Sequence, residues 1–146
     1  MTTTTDGADR TRELVPVSRT ATRATLFTYC AVTWNPHRIH YDRDYAVSLG
    51  HSDVILPGAL QADWMLEFVS RSVRAGLRVW SFSYTAVSPA IVDTELTMGG
   101  TLTEYEGEHE HDGAEGAPIS VDTWIRSDSG EVTMRGRVEL VPSRRE

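Results

Sequence analysis

The residues best suited to chemistry stand together in one short segment, Asn35-Pro36-His37-Arg38-Ile39-His40-Tyr41-Asp42. Imidazole titrates near neutral pH, so His40, with His37 beside it, can give or take a proton under physiological conditions. Asn35 is the only asparagine in the chain. Its amide cannot titrate, so its contribution is confined to orienting a partner through hydrogen bonds. Further along, Gly58 opens a long apolar stretch, and backbone N–H groups at a helix start suit negative charge that develops during a reaction. Each residue also has a plainer use. Asn35-Pro36 is a common helix terminator, His40 can bridge two helices, Asp42 is well placed as an N-cap, and Gly58 permits tight packing.

The elements that position these residues follow from periodicity. Over 22–34, Leu26, Phe27, Cys30, Ala31 and Trp34 recur at i, i+3, i+4 spacing, which predicts a helix closed by Asn35-Pro36. A short helix is expected over 42–49, stopped by Gly50, and a long one over 58–75, with Leu60, Trp64, Met65, Phe68, Val69 and Val73 along a broad apolar face and Gly76 beyond. After it the period changes to two. Four strands are expected around Trp80/Phe82/Tyr84/Ala86, Leu96/Met98/Gly100/Leu102, Ile119/Val121/Thr123/Ile125 and Val132/Met134/Gly136/Val138/Leu140, the last two joined by a hairpin at Ser127-Asp128-Ser129-Gly130. With a further strand near Val15, this is an α+β layout: an antiparallel sheet of about five strands wrapped around one long central helix, the hot-dog architecture. Residues 1–12 read as a disordered tail, 13–142 as one domain and 143–146 as a C-terminal tail, with a long polar loop over 105–117.

Composition removes several classes of function. The chain has 146 residues, one cysteine (Cys30) and no zinc-ligand spacing, so it is expected to fold without disulfide or structural metal. Its net charge of −7 argues against a nucleic-acid surface. All 14 cations are arginine, which excludes a Schiff-base lysine and a phosphate-loop lysine. No apolar run approaches the roughly 18 residues of a membrane span, and a soluble, cytoplasmic protein with no cofactor is expected. His109 and His111 sit in an acidic loop without spaced partners and are read as solvated. His51-Ser52-Asp53 lacks the Gly-x-Ser-x-Gly elbow of a serine hydrolase.

Three segments resemble the MaoC-like hot-dog hydratases and dehydratases of acyl thioesters. The run from Phe27 to Asp42 is similar to the Thr-Phe-Asn-x-His-Arg-Ile-His-Tyr-Asp signature of the mesaconyl-CoA hydratase and fungal-type hydroxyacyl-thioester dehydratase branch. Leu56-Pro57-Gly58-Ala59-Leu60 falls where that family opens its long helix, and Phe82 to Pro89 where it has an aromatic strand. The resemblance implies reversible hydration of an enoyl thioester to a 3-hydroxyacyl thioester. In that reaction one group must move a proton between water and the carbon next to the thioester carbonyl, and His40 is the expected acid/base. Asn35 then orients water or the substrate hydroxyl, and the Gly58 N–H is the oxyanion donor. His37, Tyr41, Pro57, Ala59, Trp64 and Tyr84 are the expected substrate-binding residues. A coenzyme A or acyl-carrier thioester, and a homodimer with its site at the subunit boundary, are likewise implied.

The chain departs from the family at three places. Asn35 stands where the wider family keeps an aspartate, Thr85 where the strand has an arginine, and Pro57 where a histidine precedes the glycine. Trp34, Trp64 and Trp80 add bulk that either narrows an acyl tunnel or fills the core. Two other readings stand beside hydration: recruitment as a cyclase or isomerase in specialised metabolism, and a non-catalytic partner subunit of another hot-dog chain. Thioesterase activity ranks below them, because the long helix carries no carboxylate before Asp63.

Overall fold

The computed structural model describes residues 9–105 and 119–143. The element order is β1 (Arg10–Glu13), β2 (Val17–Thr20), α1 (Arg23–Val32), a 3-10 turn (Arg38–His40), α2 (Arg43–Ser48), α3 (Gly58–Ser72), β3 (Leu77–Ala86), β4 (Glu95–Glu104), β5 (Ile119–Ser127) and β6 (Val132–Pro142). All the strand pairs are antiparallel, in the order β1-β4-β5-β6-β3, with β2 also on β4. The two short strands therefore share one lane, broken near Val15-Pro16, because a proline has no N–H for the ladder. Residues 10–12, expected in the tail, are sheet residues instead. Pairing with Glu104, Thr103 and Leu102 supplies an order that their own polar side chains do not encode.

Helix α3 lies against β4, β5 and β6. Leu60, Met65, Phe68 and Val69 are buried there with Leu96, Met98, Val121, Ile125, Met134 and Val138. Each such side chain contributes about 1.5–3 kcal/mol on leaving water. One polar pair crosses this core, with the Thr133 hydroxyl donating to Gln61 Oε1 at 2.9 Å. On the far side of the sheet the Trp124 ring covers Gly99, where a Cβ would stand 2.4 Å from the indole.

Two apolar faces differ from expectation. On α1 the i, i+3, i+4 set divides: Leu26 and Cys30 are buried, whereas Phe27, Ala31 and Trp34 face outward. On β3 Leu77 and Phe82 pack toward the core, while Trp80 and Tyr84 are exposed. The reason is topological. Among the described residues β3 pairs with β6 alone, so it is a sheet edge, and a register shift between Val79 and Ser81 interrupts its alternation at Trp80. The loop expected over 105–117 lies, beyond Tyr105, outside the described residues, as do His109 and His111.

Candidate active site

Local capping builds the histidine loop. Thr22 caps the start of α1 by accepting the Thr25 N–H, and the helix ends as the Asn35 N–H donates to the Cys30 carbonyl at 2.9 Å. That closure forces Trp34 into the left-handed region at φ 52°. Glycine is the usual occupant there, and a bulky residue costs roughly 1–2 kcal/mol. Trp34 is nevertheless 88% exposed, so packing inside the chain does not offset that cost.

From Asn35 onward each side chain positions the next. Asn35 Oδ1 accepts the His37 N–H at 3.4 Å, and His37 Nδ1 accepts the Ile39 N–H at 3.3 Å, capping the 3-10 turn that carries His40. The Tyr41 hydroxyl donates back to the Pro36 carbonyl at 2.9 Å. Asp42 caps α2 through the Tyr45 N–H at 3.1 Å and takes the Arg38 guanidinium at 2.6 Å. Its carboxyl is held below the usual range, first by that arginine. Asp42 is thus the N-cap the sequence suggested.

His40 is half-buried, and its Nδ1 lies 2.8 Å from the Ile55 carbonyl oxygen. A carbonyl only accepts, so Nδ1 carries the hydrogen and Nε2 keeps its lone pair. The attachment is reciprocal, because the Ile55 N–H donates to the Ile39 carbonyl at 3.2 Å. Ile55 is itself bridged to Ile91, and the Leu56 N–H donates to Ala90 at 2.8 Å. The chain then passes through Pro57 directly into Gly58, the first residue of α3, whose start has no side-chain cap. Among the described residues no side chain caps the first turn, so its N–H groups can meet a ligand oxygen.

Electrostatics separate the two histidines, whose rings are 5.9 Å apart. Burial lowers the His40 pKa from the ordinary 6.5, and although the bond to Ile55 acts in the opposite sense, burial outweighs it. His40 is accordingly neutral at pH 7 with a free basic nitrogen. His37 already spends its Nδ1 acceptor on Ile39. It follows that the acid limb of a kcat/KM profile falls below pH 6.5. The reaction needs neutral His40, and a lowered pKa extends the neutral form to more acidic pH. An acid limb centred above that value would contradict this assignment.

The remaining expected residues are divided. Tyr41 and Asn35 line an apolar pocket of about 220 Å³ together with Phe27, Cys30, Ala31, Trp34 and Pro36. Pro57 is buried at the α3 start and Ala59 is exposed beside it. Trp64 is fixed elsewhere, packed against the core beneath the Arg19 guanidinium, and Tyr84 rests against Phe82 on the edge strand. Asp63 accepts the Tyr29 hydroxyl at 2.8 Å. Sequence reasoning missed the Ile55 carbonyl, which carries no side-chain signature, and the part played by Phe27 and Cys30 in the pocket.

No curated protein matches the chain. Among solved structures, the (R)-hydratase from A. caviae involved in PHA biosynthesis superposes with a TM-score of 0.74 at 16% identity, covering 88% of this chain and 92% of that one. The ChsH1-ChsH2 complex from Mycobacterium tuberculosis gives 0.73 at 19% identity, over 90% of this chain and 95% of the other. A MaoC-like dehydratase from Rhodospirillum rubrum gives 0.72 at 14% identity, over 96% and 94%. At such identities the likeness establishes the hot-dog fold. Residues 3–92, which contain the histidine loop and the start of α3, match the family described as hydroxyacyl-thioester dehydratase type 2. The chain belongs to that family, and it is an enzyme of acyl-thioester hydration and dehydration.

Proposed function

We propose that the protein reversibly hydrates an enoyl thioester to a 3-hydroxyacyl thioester with His40 as the single acid/base. In the hydration direction, water held by the Asn35 carboxamide adds to carbon 3 as its proton passes to His40 Nε2. The charge that develops on the thioester oxygen is met by the Gly58 N–H. Nε2 then returns the proton to carbon 2. Dehydration reverses these steps, with the proton taken from carbon 2 delivered to the departing hydroxyl. The Asn35 carboxamide N–H groups have no partner among the described residues, which leaves two donors for the oxygen on carbon 3. The observation that carries this reading is the 2.8 Å bond from His40 Nδ1 to Ile55, which leaves Nε2 as the base.

The loop signature supports placement in the mesaconyl-CoA hydratase and fungal-type dehydratase branch. The position of β3 at the edge of the sheet among the described residues supports a homodimer, since edges of this kind are usually covered by another chain. The test is to incubate the purified protein with crotonyl-CoA and mesaconyl-CoA and follow the enoyl absorbance. Loss of crotonyl-CoA to an equilibrium that is also reached from the 3-hydroxyacyl side is expected, with mesaconyl-CoA as the dicarboxylic comparison. No turnover on any of a panel of enoyl thioesters rejects the reading.

A further inference from the structure

The outer face of α1 carries an unusual arrangement. Trp34 occupies a backbone position suited to glycine and is 88% exposed, and Phe27, two turns earlier, is 69% exposed. Both line the pocket of about 220 Å³, together with Cys30 and Asn35. Among the described residues no charged side chain lines it.

Asn35 connects this pocket to the reaction. Resting on the hydratase reading above, its carboxamide holds the oxygen on carbon 3, so the part of the substrate beyond carbon 3 must lie against whatever Asn35 borders. That surface is the Phe27/Trp34/Tyr41 pocket. A hydrocarbon chain gains there by leaving water. A second carboxylate would be desolvated with no cation to pair it.

We propose that this pocket takes the acyl chain beyond carbon 3, that it selects an uncharged hydrocarbon over a dicarboxylic acyl group, and that Trp34 is the wall setting chain length. On this account the left-handed tryptophan is retained for binding. Glycine at position 34 would keep the helix ending and remove only the wall.

The test separates binding from turnover. Calorimetric titration of the wild type with saturated butyryl-, octanoyl-, dodecanoyl- and succinyl-CoA is expected to give at least tenfold tighter binding for octanoyl than butyryl. No further gain to dodecanoyl and at least tenfold weaker binding of succinyl are also expected. Trp34→Gly, which relieves the backbone, should melt no lower than the wild type and raise the dodecanoyl-to-butyryl affinity ratio at least tenfold. Trp34→Asn, whose side chain also tolerates this conformation, serves as the second variant if glycine compromises folding. Chain-length-independent binding in the wild type, succinyl binding as tight as butyryl, or an unchanged profile in both variants overturns the proposal. So does a fall in molecular mass by light scattering with the profile intact, since the face would then be an interface between copies. Retained chain-length selectivity without turnover of any enoyl thioester sinks the hydratase reading while supporting the pocket.

Discussion

Replacing His40 by alanine is expected to lower kcat/KM on an enoyl thioester by about 10²–10⁴, the usual contribution of a positioned proton-transfer group. The magnitude follows from the absence of a substitute. Asn35 cannot titrate, and His37 has its acceptor nitrogen committed to the Ile39 N–H at 3.3 Å. The structural cost should be modest. His40 is only half-buried and contributes one bond, to Ile55, worth about 1 kcal/mol. Steady-state kinetics beside a thermal melt separates the outcomes. A large fall in melting temperature with activity lost in proportion would instead identify His40 as a bridge between the 3-10 turn and the 54–56 segment.

Gly58→Pro is the second large effect. Position 58 is the first residue of α3, and the preceding Pro57 has φ −57° and ψ 135°, the extended conformation a residue before proline prefers. Proline is well tolerated at a first helical position. The fold should survive while the N–H is replaced by a ring carbon, and loss of one oxyanion donor costs about 10²–10³ in kcat. Gly58→Ala is the control, since it keeps the N–H and places a Cβ 3.8 Å from the Met134 methyl, an ordinary contact. Equal activity losses in the two variants would remove the oxyanion role and leave Gly58 as a packing residue.

How much of this was legible in the sequence depended on which force dominated each segment. Helix α3 was readable because its buried side chains repeat at helical spacing and Gly76, at φ 84°, stops it. The capping role of Asp42 was readable because N-caps are local. β3 was readable as a strand but not as an edge, since edge status depends on which strands pair and not on the alternation of β3 itself. The outward face of α1 was hidden for a related reason. Periodicity groups apolar residues without saying that Phe27 and Trp34 face away from the core. The tautomer of His40 was the least accessible feature, because it is set by a main-chain carbonyl that the fold brings across from position 55.

The central claim, that His40 moves the proton at carbon 2, is tested most directly by isotope exchange. A 3-hydroxyacyl thioester incubated in deuterated water with the wild type should acquire deuterium at carbon 2 by mass spectrometry. With His40→Ala, folded as judged by its melt, the exchange rate should fall by the same factor as turnover. Exchange at the wild-type rate in that variant would contradict the assignment and place the base elsewhere.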